Sequence, residues 1–239
     1  MARVHGLGRR REWDEANHRF LLPRRAPPPA RRKRLWNLSQ VLDQGDTPQC
    51  VAFSSFHFLM AGPISNRRMG FTPDELYHWA QDRDEWPGSD YEGTSALGAM
   101  KALKEKGYVG EYRWALDVPT ITNWVLATGP ILMGTNWHAD MENPDRNGFL
   151  HPTGNIEGGH EWCVVGVNLD KKCGAEGTGA IRMVNSWGRS WGEGGRAWIS
   201  LQALGALLGE EGDAVTPTEV KVGNKMVALA DFSSDTEVA

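Results

Sequence analysis

The chain is 239 residues long, 40% hydrophobic and 23% charged, with a formal net charge of −4. That is the composition of an ordinary soluble globular protein, long enough to bury a core without covalent help. No apolar run approaches the roughly 18 residues a membrane span needs, so no membrane partner is expected, and the N-terminus lacks the apolar stretch of a secretory signal. Three cysteines (Cys50, Cys163 and Cys173) are too few, and odd in number, for a disulfide framework. They point to a reducing compartment, with the cytoplasm as the expected location.

In chain order, the first feature is charge. Eleven of the 26 Lys and Arg lie within residues 1–35, while most of the 30 acidic residues lie beyond. Residues 1–34 therefore read as a basic Pro/Arg-rich arm, with Pro27, Pro28 and Pro29 stiffening it as an extended spacer. The arm is expected to drape over the acidic body, and its place just upstream of residue 44 lets it cover an acidic cleft and control access. Nucleic acid is not the expected partner. The arm is the only hint of one, and no aromatic residues interleave its charges as in a binding motif.

Residues 35–43 read as an extended segment entering a turn at 44–48. Pro48 then opens a helix over residues 50–61, apolar on nearly every side and hence buried, which Gly62-Pro63 stops. Thr72-Pro-Asp-Glu75 is a capping box that opens a second helix through about Ala80. After a loop over residues 82–93, Thr94 is the expected cap of a third helix, Ala96 to Lys106, ended by Gly107. From Val109 short β-prone runs (131–133, 162–168, 180–184, 196–200) alternate with turns rich in Gly, Asn and Pro. Helices first and strands afterwards predict an α+β protein of two lobes with a cleft between them. The expected division is a helical lobe at about 44–115, a β lobe at about 116–212, and a polar C-terminal extension, 213–239, read as a loose tail.

Four residues carry candidate chemistry. Cys50 falls on the first turn of the buried helix, where free backbone N–H groups and the helix dipole favour a thiolate. His160 follows Gly158-Gly159, which permit close approach of backbone and substrate, and is a candidate base. A catalytic imidazole needs an orienting group on its second nitrogen, which the amide of Asn185 can supply. Gln44, six residues before Cys50 across a turn, can aim its amide at an oxyanion beside the Cys50 N–H. No metal-ligand spacing emerges from Cys163 or Cys173 and no cofactor is implied. His57 stands two helical turns from Cys50, too far to serve it.

These residues lie in motifs. Gln44-Gly-Asp-Thr-Pro-Gln-Cys50-Val-Ala-Phe-Ser54 resembles the cysteine loop of the papain-like cysteine proteases. Gly159-His160-Glu-Trp-Cys-Val-Val-Gly166 resembles their histidine strand, and Asn185-Ser-Trp187-Gly188 followed by Trp191-Gly192 resembles their asparagine motif. The order is right, with His160 and Asn185 following Cys50 by 110 and 135 residues. Glu92-Gly93-Thr94-Ser95 is similar to the turn before the helix that flanks the cleft, making Gly93 a candidate substrate-binding residue. The resemblance implies a papain-like two-lobe fold, with a buried Cys-bearing helix in one lobe and a β-barrel-like second lobe carrying His and Asn. It implies a compact member of bacterial, phage or viral type, placed in a host cytoplasm or virion if viral. About 40 residues precede the cysteine loop, too few for the long prodomain of secreted members.

Carried over, Cys50 is the expected nucleophile and His160 its acid/base, together a thiolate–imidazolium pair. Asn185 orients His160, Trp187 shields that hydrogen bond, Gly159 supports the site and Gln44 stabilises the oxyanion. The implied reaction is hydrolysis of a protein or peptide substrate through a thioester acyl-enzyme. Two alternatives stay open: a thiol amidase or acyltransferase acting on a specialised amide, and a catalytically silent papain-fold module serving a larger assembly. The sequence departs from the family at three places. Thr47 replaces a disulfide cysteine and Val51 a tryptophan, and Glu161 stands where a small residue is usual. Strand alternation turns Glu161 away from the cleft. If it faced the cleft, it would raise the imidazole pKa and favour cationic substrates.

Overall fold

The computed structural model describes residues 5–23 and 31–233. The polyproline spacer expected at 27–29 and residues 234–239 of the C-terminal extension lie outside them. In chain order the elements are a helical turn α1 (Glu15–His18), strand β1 (Lys33–Leu35), helices α2 (Cys50–Met60), α3 (Pro73–Gln81) and α4 (Ala96–Glu105), strand β2 (Val109–Ala115) and helix α5 (Val118–Ala127). Strands β3 (Ile131–His138), β4 (Ile156–Lys172), β5 (Thr178–Val184) and β6 (Arg196–Ser200) follow, then helix α6 (Leu201–Gly209) and strands β7 (Asp213–Val222) and β8 (Lys225–Ala228).

The three helices read from sequence form for the reasons their residues give. Ten of the eleven residues of α2 are buried, as its nearly unbroken apolar run requires. The capping box of α3 is complete: Thr72 Oγ1 accepts from the Glu75 amide at 3.2 Å, and Glu75 Oε2 accepts from the Thr72 amide at 2.8 Å. Helix α4 is capped one residue later than expected. Ser95 Oγ accepts from the Gly98 amide at 2.8 Å, because Thr94 Oγ1 is already committed to Asp84 Oδ2 at 2.6 Å.

The sheet is antiparallel, in the order β2-β7-β3-β4-β5-β6, with β1 added to β4 and β8 to β7. It is open, where a barrel-like lobe was expected. The outer strands β2 and β6 do not meet, and each edge is covered by irregular chain. The Leu22 amide donates to the Trp114 carbonyl at 2.7 Å and the Trp114 amide to the Phe20 carbonyl at 2.9 Å, while Phe149 bridges Trp198 on β6. The segment from Asp213 is no loose tail. It is β7, inserted between β2 and β3, with residues 213–217 all buried and Thr216 Oγ1 satisfied by the Pro130 carbonyl at 3.2 Å. Its threonines read as polar but fill sheet positions, where Thr packs well.

Helix α2 crosses β4, and Ser54 Oγ donates to the Glu161 carbonyl at 2.7 Å, tying the cysteine helix to the histidine strand. Four tryptophans (Trp114, Trp137, Trp162 and Trp187) are fully buried.

His57, on the same helix, is fully buried, and its Nε2 accepts the Leu42 amide at 2.9 Å. Burial, with Arg196 adding, pushes it down from 6.5 to about 3. It folds neutral, whereas the unfolded chain binds a proton near 6.5. Stability from this residue is therefore intact above that pH and falls as pH drops toward 3. His160, pushed down to about 4 by burial, has the same sign. Each should remove about 2 kcal/mol between pH 7 and 5. Urea denaturation at both pH values measures the slope, and His57→Gln should remove about half of it.

Candidate active site

Cys50 is the first residue of α2 and is fully buried. Its N-cap, Gln49, makes no side-chain capping bond, which leaves the first-turn amides to other partners. Burial nevertheless pushes the Cys50 thiol up from 9.0 to about 12, against hydrogen bonding from backbone amides that include those of Glu161, Gly8 and Val51. Desolvation outweighs the helix end.

His160 lies on β4 with Nε2 2.8 Å from Asn185 Oδ1. That oxygen also accepts the Ser186 amide at 2.8 Å, which sets the orientation of the Asn185 amide and places the His160 proton on Nε2. His160 Nδ1 is left as a lone pair, buried and without a hydrogen-bond partner among the described residues. Trp187 lies over the imidazole at 4.9 Å between ring centroids, and Trp137 meets its edge at 4.8 Å. Burial pushes His160 down to about 4; the bond to Asn185 raises it, and His5 lowers it further. Thiol and imidazole are thus both neutral in this closed state. The expected thiolate–imidazolium pair is not the one burial favours, and Glu161 does not raise the imidazole.

Gln44 is tied to the asparagine loop, its amide donating to the Ser186 carbonyl at 2.8 Å and its Oε1 accepting Ser186 Oγ. Its Nε2 donates to the Thr47 carbonyl at 2.6 Å and to the Gly6 carbonyl at 3.1 Å.

Gly6 belongs to a strap that fills the site. Residues 5–12 run as extended chain between the Gln44–Pro48 turn, Gly159 and Thr94. The Gly8 and Arg9 amides both donate to the Gly159 carbonyl, at 3.1 and 3.0 Å. The Thr94 amide donates to the Gly8 carbonyl at 2.9 Å, and the Arg10 amide to the Thr94 carbonyl at 2.8 Å. His5 stacks flat on Trp187 at 4.3 Å. Glycine is required on both sides of this contact. A Cβ on Gly6 would fall 2.0 Å from the Thr47 carbonyl oxygen, and one on Gly8 2.1 Å from that of Pro48. On the facing walls, a Cβ on Gly93 would lie 2.3 Å from the Gly8 oxygen, and one on Gly159 2.2 Å from the Arg9 oxygen. Beyond the glycines, the Arg10 guanidinium lies over Trp86 and Tyr91, and Glu12 Oε1 accepts Lys101 Nζ at 2.9 Å.

Contacts through the strap and the asparagine loop bring Gln44, His160, Asn185, Trp187, Gly159 and Gly93 together. Cys50 is buried at the start of α2, and among the described residues no hydrogen bond joins it to His160 Nδ1. Glu161 is a correction. Alternation does turn it away from His160, yet that side is not solvent: its carboxylate is fully buried in the group formed with Arg9 and Asp213. Among the described residues no cluster of three or more His, Cys, Asp or Glu is placed to hold a metal, and all three cysteines are unpaired.

Xylellain, a cysteine protease from Xylella fastidiosa, superposes with a TM-score of 0.62 at 17% identity, covering 84% of this chain and 92% of its own. The chain has the papain-like fold. Digestive procathepsin L 3 of Tenebrio molitor shares this fold with a TM-score of 0.61, again at 17% identity, over 83% of this chain and 73% of its own. In sequence, 132 residues are 27% identical to cathepsin B-like CP2 and to cathepsin B-like CP3 of Giardia intestinalis. The matched stretch is 54% of this chain, and it spans 41% of the length of each relative. No family model matches the chain.

Sequence reasoning missed the residues that close the papain-like cleft. Gly6, Gly8 and Arg9 carry no local signal except the arm's charge opposite an acidic body. Asp213 lies 204 residues from Arg9, and no periodicity connects them.

Proposed function

We propose that this chain is a cysteine-type peptidase held in a latent state by its own residues 5–12. The observation that carries the reading is the 2.8 Å bond from His160 Nε2 to Asn185 Oδ1 beneath Trp187, which fixes the imidazole with a bare Nδ1. In the open site Nδ1 takes the Cys50 proton, and the thiolate attacks the carbonyl carbon of a peptide bond. The developing oxyanion is held by Gln44 Nε2 and the Cys50 amide. His160 then protonates the departing amine, leaving a thioester, and water activated by the same imidazole hydrolyses it. Asn185 holds the imidazole, and Trp187 keeps water from that bond.

The strap supports the latent part of the reading. Its Gly6 carbonyl occupies the Gln44 amide that the oxyanion needs, and Cys50 is fully buried. No substrate can reach Cys50 while it is seated.

The test is release of amine from an unbiased peptide mixture by full-length Gly8→Val, in which the strap cannot seat. Cleavage is expected there, weak or absent in the parent chain, and abolished by Cys50→Ala in the same background. A Gly8→Val protein that stays folded and cleaves no peptide would reject the peptidase reading.

A further inference from the structure

In the open site His160 becomes positively charged each time it takes the Cys50 proton, yet the side chains packed on it are neutral. Asn185 is an amide, Trp187 and Trp137 are indoles, and the Glu161 carboxyl is turned to Arg9. A carboxylate stands one ring further out. Glu142 follows the short helical turn at 139–141, and Trp191 Nε1 donates to its carbonyl at 2.7 Å. Burial raises the Glu142 carboxyl, the Trp137 N–H holds it down and Glu157 raises it. That indole N–H is buried and has no other acceptor among the described residues.

The indoles join Glu142 to the imidazole. Trp137 meets His160 at 4.8 Å with the ring planes 72° apart, and it meets Trp187 edge to face at 5.0 Å. Trp187 in turn meets Trp191 edge to face at 5.6 Å. A charge acts further through such a water-free block than through solvent. An indole whose N–H faces a carboxylate also offers a richer ring to a neighbouring cation.

The seated strap intercepts this charge. His5 Nε2 lies 3.7 Å from Glu142 Oε1 while the His5 ring lies on Trp187, and His5 itself disfavours a charged His160. The other ionisable groups nearby are engaged or exposed. His138 is held by Glu210 Oε2 at 2.7 Å, Glu157 faces the same cavity as Glu142 but is exposed, and Asp43, against Gly188, is exposed as well.

We propose that Glu142 is a positioning residue of the site: once the strap leaves, its carboxylate acts through Trp137 to hold His160 in its charged form. The consequence for turnover rests on the peptidase reading; the effect on the imidazole does not.

The Glu142 side chain is 44% exposed, so substituting it costs little packing. In the Gly8→Val background, Glu142→Gln should move the alkaline limb of kcat/KM down by about half a pH unit to one unit, because an imidazolium without its carboxylate gives up its proton sooner. The maximum should change by less than about twofold. Glu142→Asp should keep the limb in place, Trp137→Phe should move it part of the way, and Glu157→Gln should not move it. The NMR titration of His160, followed in Gly8→Val with Cys50→Ala and assigned as the signal that His160→Gln removes, should fall by the same amount in Glu142→Gln. A limb that stays put overturns the role in the reaction. A titration that stays put, or that shifts equally with Glu157→Gln, overturns the coupling itself. A shifted titration with no peptide cleaved by Gly8→Val marks failure of the peptidase reading and not of the coupling.

Discussion

Gly8→Val in the full-length chain should raise the iodoacetamide alkylation rate of Cys50 by about a thousandfold at neutral pH. A side chain at position 8 would place Cβ 2.1 Å from the Pro48 carbonyl oxygen, on backbone that leads directly into α2 and cannot withdraw. The strap must leave. Cys50 then exchanges a buried environment, which pushes its thiol to about 12, for one nearer the ordinary 9.0. Three units of pKa are three decades of thiolate wherever both thiols are mostly protonated. The sign also predicts the pH profile. In the parent chain the rate should keep climbing from pH 7 to 11, because titration is still ahead; in Gly8→Val it should level off by about pH 10. Because Cys173 is only half-buried and will react in both proteins, the Cys50 peptide has to be followed by mass. Equal rates in the two proteins would mean that the strap is not what shelters the sulfur.

His160→Ala, placed in the Gly8→Val background, should lower kcat/KM for a peptide by about 10³–10⁴-fold while leaving the melting temperature within a few degrees. One group serves as base toward Cys50, acid toward the departing amine and base toward water, so no neighbour can take over. Asn185→Ala should cost less, since it removes the restraint on the imidazole and not the imidazole itself. Trp187 and Trp137 would still confine the ring at 4.9 and 4.8 Å. A His160→Ala enzyme that keeps its rate would remove the residue from the chemistry.

The candidate site was legible in the sequence because its residues sit in short, dense motifs: a glutamine six residues before a helix-opening cysteine, a histidine after two glycines, an asparagine in a Ser-Trp-Gly turn. The helices α2, α3 and α4 were legible for a related reason, since caps and apolar faces are local. What failed was nonlocal. Helix α5 is opened by Asp117, whose Oδ1 accepts the Thr120 amide at 2.7 Å, but its run of Val, Thr and Ile carries no helical preference until packing imposes one. Strand β7 mixes Thr and a proline with Val, and pairing on both sides, not its own pattern, makes it a central strand. Glu161 was read as turned away from the cleft, yet its carboxyl packs against Arg9 of the strap, because Gly134 leaves room and Arg9 arrives from a distant part of the chain.

An inhibitor built into the same polypeptide behaves unlike a free one. Residues 5–12 are tethered to the cleft they fill, so their effective concentration is on the order of millimolar whatever the protein concentration. Diluting the protein cannot release them, and raising its concentration cannot make them bind more. On the proposed reading, turning the site on is a first-order event in each molecule.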